Sequence, residues 1–307
     1  MLIDVIIPTY KPDDTFMRLV DMLEKQTVEI NKIIVMNTEE KYMEALHIGT
    51  RFLAEHKKLS IFHLSRMEFD HGKTRNRGAA KSEADVIVFM TQDAVPADAY
   101  LIENLVKPLK NKSVACAYAR QLPAKNATVT EQFTRVFNYP DKSSFKGMAD
   151  RERLGIKTYF CSNVCCAYNA SVFRELKGFV NRTIFNEDMI YAAKAVENGY
   201  QIAYAADARV IHSHNYTGKQ QFHRNFDLGV SQAEHPEVFA GISSESEGIR
   251  MVKQTISGLK EAGAEREIPG YIYTSGCKFI GYRMGKMYKR LPHWLVMKCT
   301  MSPLYFK

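Results

Sequence analysis

The sequence predicts an α/β fold in which helices flank a mostly parallel central sheet. Short runs of β-branched and apolar residues alternate with helical patterns through the first third of the 307-residue chain. This alternation is typical of repeated βαβ units, which build parallel sheets. Hydrophobic residues make up 46% of the chain and charged residues 25%, which is enough apolar surface for one large core.

The first third is predicted to contain five strands and four intervening helices. The predicted strands cover residues 3–8, 32–36, 60–64, 85–90 and 114–120. The predicted helices cover residues 16–25, 42–56, 74–82 and 99–109. Open parallel sheets bind ligands at the carboxyl ends of their strands, so we expect the chemistry directly after Ile7, Val35, Leu64 and Met90.

The second third is less regular. We predict a polar connection from 138 to 157, a strand at 160–167, a helix at 187–198 and strands near Ile202 and Val210. Helices are predicted at 218–230 and 248–262. The periodicity therefore places the main domain at residues 1–230 and a helical extension at 231–307.

Positive charge is concentrated near the end of the chain. Residues 271–307 contain seven Lys or Arg residues and no Asp or Glu, so they account for all but one unit of the net charge of +8. A helical wheel places Ile280, Met284, Met287 and Leu291 on one face. It places Lys278, Lys286, Lys289 and Arg290 on the other. This pattern is typical of a helix on an anionic membrane, where each basic residue contributes about 1 kcal/mol, and also of an amphipathic helix docked on the domain.

The amino-terminal residues do not have the pattern of a targeting segment. The first apolar run is interrupted by Asp4 and Pro8 and has no basic region before it, so we expect neither a signal peptide nor a membrane span. A cytoplasmic location is the expectation. The six cysteines show no disulfide-framework spacing and are expected to be reduced and packed.

The first two predicted strands end in polar residues without a glycine-rich loop. Pro8, Thr9 and Tyr10 stand where a dinucleotide-binding protein would need its close-packed glycines, which argues against NAD. These residues, with Asn37 after the second strand, can instead contact a nucleotide base or ribose. Further along, Lys73 and Arg75 lie at a helix start, which favours anions, although a solvated, capped helix start has the same composition.

Two further segments carry oxygen and nitrogen ligands suited to a divalent metal. Gln92 and Asp93 follow an apolar strand, and one carboxylate is often all that a protein contributes to a cation bridging two phosphates. Helix capping is the alternative for Asp93. His212 and His214 share one face of a predicted strand end, and such a pair can ligate metal.

A possible general base and a possible phosphate contact occur downstream. Glu187 and Asp188 open a predicted helix, where a carboxylate can take a proton from an attacking hydroxyl or merely cap the helix. Arg224 can bind phosphate oxygens bidentately, or it can belong to a surface helix.

Taken in order, these segments resemble the family 2 glycosyltransferases with the GT-A fold over about residues 1–230. The resemblance implies a Rossmann-like sheet with a nucleotide-binding half at about 1–120 and an acceptor-binding half at about 121–230. Asp93 is similar to the last Asp of the family's D-x-D motif, although Thr91 replaces the first. Asp188 resembles the catalytic base of the family's E-D motif, with Glu187 before it.

The resemblance also implies substrates. Residues 221–224 resemble the Q-x-x-R-W motif of processive synthases, but Asn225 replaces the Trp, which favours addition of one or a few sugars. The sequences of residues 70–76, 162–168 and 212–217 resemble most the rhamnosyltransferase branch of this family. This branch implies inverting transfer from dTDP-β-L-rhamnose with Mg²⁺ or Mn²⁺, onto a polyprenyl-diphosphate-linked glycan at the inner face of the cell membrane. Ser162 and Asn163 are candidates for acceptor binding.

Three alternatives remain from sequence alone. The donor could be a UDP-sugar within the same family. A nucleotidyltransferase would need a glycine-rich phosphate loop, which residues 8–10 lack. A non-catalytic protein binding nucleotide or nucleic acid would use the basic tail, but basic charge confined to the tail argues against nucleic acid as a partner. The sequence is compatible with a monomer and with an oligomer.

Overall fold

The computed structural model describes residues 1–46, 52, 55–240 and 245–307. It separates into two compact units. The first comprises residues 1–122, 139–182 and 187–212, and the second comprises residues 123–138, 183–186 and 213–307. The predicted boundary at residue 230 falls inside a helix, Gly218–Glu234, and the second unit takes in earlier segments of the chain.

The first unit contains a mixed sheet of nine described strands. They are β1 (Ile3–Tyr10), β2 (Lys32–Thr38), β3 (Leu59–Leu64), β4 (Val86–Met90), β5 (Val95–Pro96), β6 (Val114–Leu122), β7 (Ser144–Lys146), β8 (Cys165–Asn169) and β9 (Gln201–Ile211). The order is β3-β2-β1-β4-β8-β6-β9-β5, and β7 pairs with β9. The five strands predicted in the first third are confirmed, with small differences at their ends.

The α/β class is confirmed, but the sheet is parallel only in part. Strands β1 to β4 are mutually parallel, and so are β6 and β9. Strand β8 runs antiparallel between β4 and β6, while β5 and β7 pair antiparallel with β9. The alternation of strands and helices in the first third predicted the parallel strands β1 to β4. Strands β7 and β8, from the less regular middle of the chain, pair antiparallel with their neighbours.

Seven described helices of the first unit connect these strands. They are α1 (Asp14–Glu24), α2 (Glu40–Glu44), α3 (His71–Ala79), α4 (Leu101–Val106), α6 (Arg151–Leu154), α7 (Ala170–Glu175) and α8 (Glu187–Glu197), with α5 belonging to the second unit. Seven of the fifteen residues of the helix predicted at 42–56 lie outside the described residues. The predicted strand at 160–167 starts at Cys165 instead, so Ser162 and Asn163 lie in the loop before β8.

The core of the first unit forms between β1 to β4 and the apolar faces of α1 and α4. Strand residues Ile3, Val5 and Ile7 pack with Leu19 and Leu101 in this cluster. Helix α1 begins at a cap in which the Asp13 carboxylate accepts from the Thr15 N–H. Burial of these alternating residues fixes the register, which in turn aligns the carboxyl ends of β1, β2 and β3.

The second unit is helical among its described residues. It contains α5 (Val129–Asn138), α9 (Gly218–Glu234), α10 (Pro236–Phe239), α11 (Glu245–Glu261), α12 (Ile268–Lys286) and α13 (His293–Cys299). Helices α9 and α12 meet through glycines. A Cβ added at Gly281 would lie 2.2 Å from the Phe222 carbonyl oxygen, and one at Gly285 would lie 2.0 Å from that of Phe226. The absence of side chains at these positions therefore permits the contact.

The helix predicted through Leu291 is wrong in its last part, because α12 ends at Lys286. A 3₁₀ turn, Tyr288–Arg290, follows, and Leu291 is extended, as expected for the residue before Pro292. Met284 and Leu291 pack in the core of this unit, whereas Ile280 and Met287 are exposed. The predicted apolar face is therefore divided between core and surface.

Two further findings concern membrane-spanning helices and the cysteines. In the described part of the chain, no helix is both long enough and apolar enough to cross a membrane. All six cysteines are free, and five of them are buried, as predicted.

Candidate active site

A row of polar side chains crosses the carboxyl ends of the first three strands. Thr9, Asn37 and His63 are register partners on β1, β2 and β3. The Thr9 hydroxyl donates to Asn37 Oδ1 at 3.0 Å, and Asn37 Nδ2 lies 3.0 Å from His63 Nδ1. The predicted residues Thr9 and Asn37 are thus brought together. His63 was missed, although its position near the end of a strand could have identified it.

Tyr10 lies at the same edge and is joined to Gln92. The Tyr10 N–H donates to Gln92 Oε1 at 2.8 Å, and Gln92 Nε2 donates to the Tyr10 carbonyl at 3.1 Å. Gln92 therefore ties the end of β1 to the loop that carries Asp93. The exposed Tyr10 ring packs edge-on against Tyr42 at 5.3 Å, while Pro8 is half-buried within β1.

The start of α3 is fixed by a cap and a close backbone contact. The Asp70 carboxylate accepts from the Lys73 N–H at 2.7 Å. A Cβ at Gly72 would lie 1.9 Å from the Val180 carbonyl oxygen, so the helix can approach the loop at 179–181 because this residue is glycine. Lys73 is exposed and Arg75 is buried.

Arg75 and Glu187 form a buried ion pair. Their closest nitrogen and oxygen atoms are 3.2 Å apart, and each side chain is 7% exposed. Asn163 Nδ2 also donates to Glu187 Oε1 at 3.1 Å. Burial opposes ionisation of Glu187, but Arg75, His71 and Asn163 outweigh it and hold the pKa of this carboxyl below its usual range. The predicted nucleotide contact by Arg75 stays a prediction, and here its guanidinium neutralises Glu187.

The pKa of Asp188, the next residue, is shifted in the opposite direction from that of Glu187. Its Oδ2 accepts from the Asn163 N–H at 2.9 Å and its Oδ1 from the Met189 N–H at 2.8 Å. Part of its surface remains open to solvent. Burial among the surrounding side chains, together with the Glu187 charge, raises the pKa of Asp188 well above its usual range. Adjacent carboxylates with pKa values moved apart are typical of proton-transfer sites.

A second cluster contains Asp93 and His212. His212 Nε2 lies 3.6 Å from Asp93 Oδ2, and His212 Nδ1 lies 3.0 Å from Gln121 Oε1. Gln121 Nε2 donates to the Tyr139 hydroxyl and to Ser162 Oγ. The amide oxygen of Gln121 therefore accepts from the His212 Nδ1–H. Sequence reasoning missed Gln121, although it lies near the end of β6.

This arrangement suits a divalent cation. Because the Nδ1 atom is hydrogen-bonded to Gln121, the Nε2 atom of His212 is the one that faces the Asp93 carboxylate, and a cation between the two would be bound by both. Carboxylate oxygen and imidazole nitrogen are both accepted by divalent metals. His214, the third predicted ligand, is two residues further along the chain, in the second unit.

Two predicted residues lie together in the second unit. The Arg224 guanidinium lies 4.7 Å from the Phe185 ring centroid and 5.7 Å from that of Tyr216. The His214 ring stacks on Tyr216 with centroids 4.8 Å apart. The phosphate role of Arg224 and the metal role of His214 stay predictions, as do the acceptor roles of Ser162 and Asn163.

Two O-antigen chain rhamnosyltransferases are similar to this chain over most of its length. O-antigen chain rhamnosyltransferase RfbN of Salmonella typhimurium is 43% identical over 296 residues, covering 95% of this chain and 92% of that protein. O-antigen chain rhamnosyltransferase WbaN of Salmonella anatum is 38% identical, covering 94% of this chain and 90% of that protein.

Solved structures with low sequence identity share the fold. Mannosyltransferase PcManGT from Pyrobaculum calidifontis, in complex with GDP-Man and Mn²⁺, has a TM-score of 0.60 at 13% identity and covers 99% of this chain and 87% of its own. S. aureus TarS 1–349 has a TM-score of 0.54 at 14% identity and covers 94% of this chain and 91% of its own. The sequence profile of Glycosyl transferase family 2 matches residues 4–177, which is more than half of the chain. The chain therefore belongs to glycosyl transferase family 2.

Proposed function

We propose that this enzyme transfers L-rhamnose, with inversion, from dTDP-β-L-rhamnose to a hydroxyl of a lipid-linked glycan during synthesis of a cell-surface polysaccharide. The names of the two rhamnosyltransferase relatives support the sugar. The observation that carries the chemistry is Asp188, a carboxylate with a raised pKa that is held by two backbone N–H groups and still reaches solvent.

Asp188 would act as the general base. An acceptor hydroxyl bound beside it would lose its proton to the carboxylate while its oxygen attacks the anomeric carbon and the bond to the leaving diphosphate breaks. General-base catalysis of this kind contributes about 10²- to 10⁴-fold. Glu187 stays ionised through its pair with Arg75, and Asn163 connects the two carboxylates. Its N–H and side-chain amide orient them, so Asn163 would support the base as well as being a candidate for acceptor contact.

A divalent cation, Mg²⁺ or Mn²⁺, would be held by Asp93 and His212, with His214 as the further ligand. When bound, it would stabilise negative charge on the leaving diphosphate. Gln121 would position His212, because its amide oxygen accepts from the Nδ1–H. Thr91 supplies no carboxylate, so the protein contributes fewer anionic ligands than a D-x-D sequence does.

The nucleotide would lie along the row formed by Thr9, Asn37 and His63. Tyr10 offers an exposed ring for stacking on a base. Lys73 is exposed at the start of α3 and would balance phosphate charge.

The second unit would contact the inner face of the membrane. Ile272, Phe279 and Ile280 on α12 and Trp294 on α13 are each more than half exposed. Arg283 and Lys286 are also exposed on α12. Apolar side chains interleaved with basic ones suit an anionic bilayer surface. We expect flotation with phosphatidylglycerol vesicles to fall in a Phe279→Ser, Ile280→Ser variant, and unchanged flotation would contradict this contact.

The proposed activity is tested by thermal stabilisation and product formation with dTDP-, UDP- and GDP-sugars, with and without Mg²⁺ or Mn²⁺. We expect dTDP-rhamnose to stabilise the wild type in a metal-dependent manner. Asp93→Asn should lose this stabilisation. Asp188→Asn should keep it and lose about 10²- to 10⁴-fold in transfer rate. Asp207→Asn, at an exposed position, is the matched control.

The panel also separates the alternatives. Metal-dependent stabilisation by UDP-sugars would keep the family chemistry and change the donor. Full transfer by Asp188→Asn would contradict its role as the base. Stabilisation by nucleotides without any sugar transfer would favour the non-catalytic nucleotide-binding alternative.

A further inference from the structure

The second unit contains a polar cavity of ≈ 230 Å³. Its lining includes Thr128, His214, Gln221, Tyr271, Thr274 and Lys278, which come from two helices and two connecting segments. None of the predicted nucleotide or acceptor residues lies in it. Of the three predicted metal ligands, His214 lines the cavity. It follows His212 by two positions, so the cavity is next to the proposed metal-binding segment along the chain.

Hydrogen bonds within the unit hold the wall of the cavity in place. Asn215 Oδ1 accepts from the Thr128 N–H at 3.0 Å, and Asn215 Nδ2 donates to the Asn126 carbonyl at 2.9 Å. On α12, which forms another part of the wall, Thr274 Oγ1 donates to the Gly270 and Tyr271 carbonyls. The Asn215 bonds join segments that are 87 and 89 residues apart in the chain, whereas the Thr274 bonds lie within α12. Both sides of the cavity are therefore held by the fold before any ligand enters.

Two polar groups of the lining have no hydrogen-bond partner within the described part of the chain. Tyr271 is 4% exposed, and its hydroxyl is buried without a partner there. An unpaired buried hydroxyl is costly, and a ligand that hydrogen-bonds it would recover that cost. The Lys278 ammonium likewise makes no hydrogen bond or ion pair with described residues.

The charges around Lys278 do not make this a strong anion site. Burial lowers the pKa of Lys278, Glu131 opposes this effect, and Arg135 and Arg224 add to it. Glu131 pairs with Arg135 at 2.7 Å, and its carboxylate therefore interacts with both Arg135 and Lys278. Glu267 adds a second carboxylate to the lining. Acid and base are therefore nearly balanced in the cavity, which favours an uncharged polar ligand.

We infer that this cavity binds one sugar residue of the acceptor glycan. Threonine hydroxyls, the Gln221 amide, the Tyr271 hydroxyl and the Lys278 ammonium can serve both the donor and the acceptor sides of sugar hydroxyls. The aromatic rings of His214 and Tyr216, which stack on each other, also belong to the lining. The volume exceeds the ~30 Å³ of a water several-fold and lies just below the ~300 Å³ of sites that enclose a whole ligand. This assignment rests on the proposed glycosyl transfer and names the place of its acceptor.

Two conservative substitutions test the cavity. Tyr271→Phe removes the unpaired hydroxyl and keeps the ring, and Lys278→Met removes the ammonium and keeps most of the side chain. Tyr159→Phe is the matched control, because Tyr159 also has a buried, unpartnered hydroxyl and lies outside the cavity. Lys289→Met, at an exposed position, controls for the loss of one positive charge.

Saturation-transfer NMR with the methyl glycosides of rhamnose, galactose, glucose and mannose measures binding to the full chain. We expect at least one glycoside to bind the wild type, with its affinity reduced roughly threefold to tenfold in Tyr271→Phe and in Lys278→Met, which is the loss of about one hydrogen bond. The two control variants should bind it like the wild type. Stabilisation by dTDP-rhamnose should be the same in all five proteins.

The other outcomes each overturn a defined statement. Glycoside binding that is equal in all variants, or absent, would overturn the sugar site while leaving donor binding and the proposed function intact. Sodium pyrophosphate binding that depends on Lys278, without glycoside binding, would identify an anion site instead. Glycoside binding lost in Tyr271→Phe in a protein that responds to no nucleotide sugar would keep the cavity and overturn the proposed function.

Discussion

The two units place their polar groups in different ways. In the first unit, Thr9, Asn37 and Gln121 lie at or near the ends of strands, where neighbouring strands bring their side chains into contact. In the second unit, Asp227 is buried in the interior of α9, and α9 meets α12 through glycines. A position along a strand thus indicates which residues will meet, whereas the partners of a helical residue depend on how closely two helices approach.

The largest expected effect concerns the buried charge pair of the first unit. Arg75→Met would leave Glu187 buried without its cation, and breaking such a pair typically costs about 3–5 kcal/mol in the free energy of unfolding. Arg77→Met is the control on the same helix, because Arg77 is 40% exposed and its pair with Glu68 contributes at most about 1 kcal/mol. Urea denaturation measures both. Equal losses in the two variants would show that burial of the pair does not determine its contribution.

The glycine contact of the second unit should be almost as sensitive. Gly285→Ala places a Cβ 2.0 Å from the Phe226 carbonyl oxygen, so the helices must separate, at a cost of about 3 kcal/mol or more. Gly276 lies on the same helix with no atom within 4 Å of an added Cβ. Gly276→Ala should therefore stabilise by roughly 0.5–1 kcal/mol, as alanine generally does in a helix. Denaturation midpoints that shift in the same direction would contradict the close packing of α9 and α12.

Asp227 should make the stability of the second unit depend on pH. Burial raises its pKa to about 6, although Thr300 Oγ1 and the Met301 N–H donate to it. Between pH 4 and 6 the folded carboxyl keeps a proton that the unfolded chain releases, so the free energy of unfolding falls as the pH rises, by on the order of 2–3 kcal/mol.

The measurement is urea denaturation at several pH values from 4 to 7. Asp227→Asn cannot ionise and should lose this part of the slope, while the exposed Asp207→Asn should keep it. A slope that is the same in both variants would mean that Asp227 is not its source.

The sequence predicted the first unit better than the second because a strand end is a local feature. Five strands were predicted from runs of apolar residues, and Thr9, Asn37 and Asp93 from their positions at the ends of those runs. The antiparallel entry of β8 was not predicted, since no local pattern states which strands will be neighbours. Gly281 and Gly285 have no local pattern that indicates a helix contact, because their role depends on the helix that packs against them.

Side-chain partners account for the remaining differences. Arg75 and Gln92 are residue types that often contact phosphates and bases. In the fold, Arg75 forms an ion pair with Glu187, and Gln92 is hydrogen-bonded to the backbone of Tyr10. Those partners are 112 and 82 residues away in the chain, respectively, so spacing could not reveal them. Sequence motifs therefore indicate candidate site residues, whereas the hydrogen-bond and ion-pair partners of those residues are known only from the fold.

The smallest expected effect is a shift in the pH dependence of transfer. Asp188 must be ionised to accept a proton, so the rate should fall on the acidic side, at a pH above that of an ordinary Asp. Glu187→Gln removes the adjacent negative charge that contributes to the raised pKa, and it leaves Arg75 nearby. The acidic limb should therefore move to lower pH. Tyr168→Phe removes the hydrogen bond to Asn163 Oδ1 without changing any charge, so its limb should stay in place. Thermal melting confirms that each variant is folded, and an acidic limb that moves to higher pH in Glu187→Gln would exclude Asp188 as the group that titrates.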